Sequence, residues 1–249
     1  LDSDVSMIEL DTLSARINYA LYPHATLYQG QGFETVDIEN NSQDIIVSNP
    51  PFGEKKILDT DRKHLSGLTL HNYFLNRSIE CLKEGGLFYA IVSTSFLDAK
   101  NTKNRETIAK QATLLHAIRL PKAVFDKTTG ANASVDILLF TKDSNANQTP
   151  LWINTNEQIC AKTDESYAIN DYYTQHPQNM LGEMQITGHF QGNNVHCVYD
   201  NDDLHQKIET LFSSFPSHCF NAVKTKTLPI LTNDNVSKQD IRTPLEHLH

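Results

Sequence analysis

The chain has 249 residues, a formal net charge of −9 and an apolar share of 39%. That length suits one domain, or one domain with an extension, and gives enough chain for a sizeable core. The mean hydropathy of −0.42 is that of a soluble globular protein. No run approaches the ~20 apolar residues that cross a bilayer, and no signal segment is recognisable, so no membrane partner is expected.

The cysteines are Cys81, Cys160, Cys197 and Cys219, none in a C-x-x-C pair. They read as reduced thiols of a cytoplasmic protein rather than zinc ligands or a disulfide framework. Lys and Arg are scattered, with small groups at Lys55-Lys56, at Arg62-Lys63 and over 100–105. A free-standing nucleic-acid binder usually carries a basic face. The acidic balance therefore implies that most of any DNA affinity comes from other parts of a larger protein. The first residue is Leu, which also suggests a piece of something longer.

In chain order, residues 5–10 read as a strand ending near Glu9. Residues 12–21 carry Leu13, Ile17, Ala20 and Leu21 at helical spacing, and Pro23 stops that helix. Residues 25–28 and 45–48 read as strands. Residues 53–68 are polar and charged and read as a mobile loop. Residues 70–82 form an amphipathic helix with Tyr73, Phe74, Ile79 and Leu82 near one face, and Gly85-Gly86 reads as its C-cap. Residues 87–92 form a continuous apolar strand of the kind found in parallel sheets. Residues 101–113 read as a polar helix. Residues 114–120 and 135–140 read as two more strands, joined by a loop containing Thr128-Thr129-Gly130.

Strands alternating with helices imply a mostly parallel α/β sheet, whose ligands bind beyond the carboxyl ends of the strands. Residues 143–150 are a polar break. Trp152, the pair Tyr172-Tyr173 and an amphipathic helix over 203–212 follow. The expected division is a core domain over 1–144, an extension packed on it over 145–221, and a loosely held tail over 222–249.

The most informative feature is Asn49-Pro50-Pro51-Phe52, directly after the apolar run Ile45-Ile46-Val47 and before Gly53. A strand ending in this way puts an amide at the carboxyl edge of the sheet. Pro50 restricts Asn49 to an extended backbone. Neither proline donates a backbone hydrogen bond, so carbonyls are left free as acceptors, with Phe52 a flat apolar surface beside them. The same residues also suit a rigid turn with a core phenylalanine. The full pattern favours a site for a planar group bearing an amine.

Asn49-Pro50-Pro51-Phe52-Gly53 resembles the catalytic motif of the DNA adenine-N6 methyltransferases, in the form found in type I restriction-modification methylation subunits. Ile91-Val92-Ser93-Thr94-Ser95-Phe96-Leu97-Asp98, Ala117-Ile118-Arg119-Leu120-Pro121 and Val135-Asp136-Ile137-Leu138-Leu139-Phe140-Thr141-Lys142 are similar to later motifs of that family. The stretch from Tyr172-Tyr173 to Leu181-Gly182 resembles a segment of methylase-helicase proteins of phages and mobile elements. The resemblance covers roughly residues 5–215.

The resemblance implies a Rossmann-like sheet that uses S-adenosylmethionine and acts on DNA. It makes Asn49, Pro50, Pro51 and Phe52 catalytic, with Asn49 and the Pro50 carbonyl accepting from the target amine and Phe52 stacking on a flipped base. Phe125 is a second stacking candidate, and ordinary core is an equal reading of it. Glu9 stands where the family places an acid on the cofactor ribose, with plain helix capping as the alternative. Gly32 stands where many relatives carry an acid for the cofactor adenine, and Gln31 or Phe33 is the expected substitute. Phe74 is expected to pack on that adenine. His64 and His71 are assigned no chemistry.

One departure is large. No glycine-rich cofactor loop of the family's kind occurs in the right place. The strand before it would lie ahead of residue 1, between the strands at 5–10 and 45–48. The sheet is therefore expected to be incomplete, with the cofactor loop and a target-recognition or helicase part supplied by the remainder of a larger protein. The rival readings are methylation of a protein glutamine or an RNA guanine, and a non-catalytic interaction module.

Overall fold

The computed structural model describes residues 4–51, 53, 55–122, 124, 133–186, 195–199, 201, 203–213 and 215. Strand β1 (Ser6–Glu9), helix α1 (Thr12–Leu21) and strand β2 (Thr26–Gln29) form one parallel crossover unit, with Glu9 opposite Gln29. Asp11 caps α1 by accepting from the Ser14 N–H at 2.8 Å. Leu13, Ile17 and Leu21 share a helical face as expected, yet all are exposed, and only Ala15 is buried.

Strand β3 (Gln43–Ser48), helix α2 (Leu70–Cys81) and strand β4 (Leu82–Ser93) form a second parallel unit. After the short helices α3 (Ser95–Asp98) and α4 (Lys103–Ala109) come β5 (Ala112–Leu120) and β6 (Val135–Lys142). The four-stranded sheet runs β3-β4-β6-β5.

Three of its four strands, β3, β4 and β5, run in one direction, as a mostly parallel sheet requires. The departure is β6, which lies between β4 and β5 and is antiparallel to both. Val135 to Phe140 are all buried. A continuous apolar run reports burial on both faces, not strand direction, and consecutive antiparallel strands need no helical crossover.

Three further expectations are corrected. Gly85-Gly86 is no helix cap, because α2 ends at Cys81 and runs directly into β4. The glycines form a bulge instead, between the pairs Gln43–Leu82 and Ile45–Leu87. Gly85 has φ +75, and a Cβ on Gly86 would meet the carbonyls of Lys83 and Asp44 at 2.9 and 3.0 Å. The 101–113 helix is shorter, because Ala112, Leu114 and Ala117 are buried in the core as strand residues. The stretch 53–68 is anchored rather than loose. Ile57, Asp59 and Leu65 are buried, and Asp59 accepts from Tyr73 Oη at 2.6 Å and the Arg62 N–H at 2.8 Å.

The extension packs on the sheet. It contains the antiparallel pairs β7 (Thr155–Ile159) with β8 (Ser166–Asn170) and β9 (Glu183–Ile186) with β10 (Val195–Val198). Helix α5 (Asp171–Gln175) follows β8, and helix α6 (Leu204–Ser213) follows β10. Trp152, Ile169, Tyr172, Tyr173 and Met184 join one apolar cluster with Phe88, Leu138 and Phe140 of the sheet.

Among the described residues, β1 pairs only with β2 and β3 only with β4, so each keeps one open edge. Ile45 and Val47 on β3 are 51% and 76% exposed. Beneath α2 the two units share a cluster in which Ile8 of β1 and Ile46 of β3 pack against Phe33, Ile57, Leu65 and Tyr73. The result is an α/β fold in which, among the described residues, the β1-β2 pair and the four-stranded sheet are not hydrogen-bonded to each other.

Candidate active site

The turn leaving β3 presents Asn49. Ser48 pairs with Ala90 as the last β3 residue, Asn49 follows exposed, Pro50 is buried and Pro51 is exposed. The buried proline pins the turn, so the Asn49 amide stands at the carboxyl edge of the sheet with no hydrogen bond to the described residues. Phe52 and Phe125 lie outside the described residues. β4 overshoots β3 and ends at Ser93, where Ser95 Oγ donates to Ser93 Oγ at 3.0 Å.

The carboxyl ends of β1 and β2 hold the other candidates. Glu9 is half-buried, and its Oε1 accepts from the Asp11 N–H at 2.8 Å. One of its two oxygens is thereby engaged ahead of the helix, while Asp11 is the residue that caps α1. Gln31 is exposed. Phe33 turns inward, 5.3 Å from Phe74 and 6.3 Å from Tyr73 between ring centroids, so Phe33 and Phe74 meet as one aromatic wall.

Gly32 sits in a tight turn in which the Thr35 N–H and Oγ1 both donate to its carbonyl at 2.9 Å. A Cβ at Gly32 would stand 2.7 Å from Glu34 Cδ. The Glu34 side chain thus occupies the space that a side chain at position 32 would take. Sequence reading considered Gln31 and Phe33 as substitutes for the acid absent at Gly32 and passed over Glu34. The signal was an acid two residues on from a glycine, visible only once the turn folds the chain back.

Two clusters of charged side chains are held by hydrogen bonds. Burial alone would raise the Asp59 pKa, but hydrogen bonds from Tyr73 and Arg62 outweigh it and hold it at about 2. Arg62 also donates to the carbonyls of Glu34 and Val36 at 3.2 and 3.3 Å, which ties the 53–68 stretch to the Gly32 turn. The second cluster joins Arg119, Asp136, Asp98 and Tyr173. Arg119 donates to Asp136 through Nε and Nη2 at 2.8 Å each, and to Asp98 through Nη1 at 2.7 Å. Burial pushes the Asp98 carboxyl up despite the pull of Arg119. No group of three or more metal-type ligands occurs among the described residues, nor a helix long and apolar enough to cross a membrane.

Residues 4–125 match the family model described as Eco57I restriction-modification methylase. This segment is similar to a methylase domain of the restriction-modification type. The defense against restriction protein B of Escherichia phage P1 is 33% identical over 138 residues, which is 54% of this chain and 6% of that protein.

Several solved structures are also similar. A protein of Listeria monocytogenes described as a class I S-adenosylmethionine-dependent methyltransferase is 20% identical, with 59% of this chain and 47% of that one covered and a TM-score of 0.48. The M protein of the type I restriction enzyme EcoKI is 23% identical, with 58% and 32% covered and a TM-score of 0.42. A type I modification subunit from Vibrio vulnificus is 14% identical, with 83% and 49% covered and a TM-score of 0.48. The chain spans less than half the length of each of these relatives.

Proposed function

We propose that this chain is the base-binding half of a DNA adenine-N6 methyltransferase, with S-adenosylmethionine as methyl donor. The observation that carries the reading is Asn49, an unengaged amide at the carboxyl end of β3, pinned by buried Pro50 inside the segment that matches the methylase family. The cofactor supplies an electrophilic sulfonium methyl. The chain's own part is to prepare the amine. An aromatic amine is a poor nucleophile because its lone pair is delocalised into the ring. Asn49 Oδ1 and the Pro50 carbonyl would accept hydrogen bonds from its two N–H groups, favour a more tetrahedral nitrogen and stabilise the positive charge that develops there, until one of those protons is lost to solvent. Transfer would leave S-adenosylhomocysteine as the departing product. Phe52 stacks on the base, which must first leave the duplex, and Phe125 offers a second apolar face.

On the cofactor side, Glu9 keeps one carboxylate oxygen for ribose hydroxyls. Glu34 takes the place of the acid absent at Gly32 and accepts from the adenine amine. Phe74, backed by Phe33, borders the ring, and Gln31 flanks it. The open edges of β1 and β3 support a further strand and a glycine-rich loop supplied by the rest of a larger protein, which also brings target recognition or helicase function. Alone, the chain binds the cofactor weakly and is silent in turnover. In this reading 1–144 is the partial catalytic domain, 145–221 its support and 222–249 a tail.

The test uses the chain extended to include the cofactor loop, duplex DNA and labelled S-adenosylmethionine, followed by nucleoside analysis. N6-methyladenine is the expected product. Label in protein glutamine or RNA guanine, with none in DNA, would move the chain to the rival substrates. No transfer and no cofactor binding would leave a non-catalytic interaction module.

A further inference from the structure

A cavity of about 880 Å3 beside the Asn49-Pro50-Pro51 turn has no role in the reaction described above. Gly53 lines it, together with the first turn of α2, the carboxyl end of β4 and the start of α4. Gly53 is four residues from Asn49, at most about 14 Å of chain.

The walls carry amides and hydroxyls, the histidines His64 and His71, the Glu80 carboxylate, Lys103 and Arg105, with His64 and Glu80 hydrogen-bonded to each other at 2.5 Å. Asn76 Nδ2 donates to the Asn72 carbonyl and to Asn104 Oδ1, and Asn104 Nδ2 donates to Asn72 Oδ1, each at 2.8 Å. This chain of amides engages Asn72 Oδ1 and leaves its NH2 group as a donor. Arg105 keeps its charge at the cavity wall, but its Nε, Nη1 and Nη2 each give an N–H to a carbonyl, of Ile153, Phe96 and Ala99, at 2.7, 2.8 and 2.6 Å.

His71 is the unexplained member. Its ring lies 5.8 Å from that of Phe96 at 38°. It is 9% exposed, and its Nε2 is buried without a hydrogen-bond partner among the described residues. Buried polar atoms almost always have one. Burial holds its pKa down to about 4, so at neutral pH the ring offers one donor and one acceptor. A neutral imidazole, an amide donor and an aromatic neighbour match the edge of a planar heterocycle better than an isolated ion. Thr69 at the N-terminus of α2 makes no side-chain cap bond, and it and Lys103 line the same cavity. Both features favour a phosphate.

We propose that this cavity binds a second nucleotide of the substrate strand, close to the one that is methylated, and that His71 reads its base edge. The inference rests on the nucleic-acid reading above and adds a recognition site to it. The test is an NMR titration of the chain with each of the four deoxynucleoside 5′-monophosphates, following the imidazole signal of His71. One nucleotide is expected to shift that signal saturably. His71→Phe keeps the ring packing on Phe96 and should weaken binding about fivefold, the worth of one neutral hydrogen bond. Asn72→Asp, at a half-exposed position, removes the amide donor, adds repulsion toward phosphate and should weaken it as well.

No saturable shift with any of the four, or equal affinity in both variants, would overturn the proposal. The titration needs neither methyl donor nor turnover. Nucleotide binding without methylation would therefore count against the methyltransferase reading alone, and methylation with an unmoved His71 against the cavity alone.

Discussion

Arg119 on β5 and Asp136 on β6 stand opposite each other in the strand register and form a two-pronged ion pair, Nε to Oδ1 and Nη2 to Oδ2, each 2.8 Å. Both side chains are fully buried. Tyr173 Oη donates to Asp136 at 2.9 Å, and the guanidinium lies 4.3 Å from the centre of the Tyr173 ring. Both charges belong to stretches that resemble family motifs, and the geometry gives them a structural part: they lock the α5 region onto the sheet. Burial works against the Arg119 charge, but Asp136 and Asp98 more than offset it and raise its pKa further.

Asp136→Ala leaves that guanidinium short of its main partner. A loss of about 3–5 kcal/mol in unfolding free energy is expected from urea denaturation. Changing the whole cluster, Arg119→Met with Asp136→Leu and Asp98→Asn, should destabilise less than Asp136→Ala, since Arg119 also neutralises Asp98 and only the triple change leaves no buried charge without a partner.

Asp59 gives a pH signature. Its pKa lies at about 2 against an ordinary value of 3.8. A depressed carboxylate contributes stability that is fully present above its unfolded value and is lost as pH falls through the folded one. The contribution should therefore be constant above pH 5 or so and fade between about pH 4 and pH 2. Far-UV circular dichroism with urea at stepped pH is the measurement. Wild type should exceed Asp59→Asn in stability at pH 6, and the gap should narrow across that window. A gap that stayed constant to pH 2 would remove Asp59 from the acid response.

The elements with a clear period were legible before folding. Helices over 12–21 and 70–81 and the strands at 45–48, 87–92 and 135–140 have their observed type, and the resemblance agrees with the family match over 4–125. The reversal of β6 was not legible, because that strand is apolar on both faces in an antiparallel setting just as it would be in a parallel one. The glycine pair at 85–86 misled because a helix C-cap and a β-bulge both need a glycine backbone. The anchoring of 53–68 by Asp59 was hidden because its partner Tyr73 is distant in sequence. Within the site, Asn49 could be placed from local chain chemistry alone. Glu34 could not, since its position over Gly32 depends on a turn closed by Thr35.

That turn gives a third expectation. In the extended enzyme, Gly32→Ala should push the Glu34 carboxylate aside at little cost to the fold, since the obstacle is the end of a flexible side chain. Cofactor affinity, read by calorimetry, should fall about as far as in Glu34→Ala, roughly tenfold for one charge-assisted hydrogen bond. Gly32→Asp combined with Glu34→Ala should recover much of that loss by returning an acid from the adjacent position. Full affinity in Glu34→Ala would show that the cofactor amine finds its acceptor elsewhere.

The last expectation concerns the acceptor itself. Asn49 is exposed and bonded to nothing described, so Asn49→Ala should leave the fold within about 0.5 kcal/mol of wild type. Its effect belongs to the transition state, where the amine acquires charge, and not to the cofactor. In the extended enzyme, turnover should fall by about 10²-fold or more, the loss expected on deleting one preorganised hydrogen-bonding group, while S-adenosylmethionine affinity stays nearly unchanged. Phe52→Ala should differ in kind. Base stacking is worth about 1–3 kcal/mol by alanine substitution, so this variant should lose affinity for DNA carrying a flipped base, and Phe52→Tyr or Phe52→Trp should recover it. Binding and single-turnover measurements on the two alanine variants separate these roles. If Asn49→Ala kept turnover within a few-fold of wild type, the amide at the end of β3 would not be the group that prepares the amine, and the assignment built on the Asn49-Pro50 turn would fall with it.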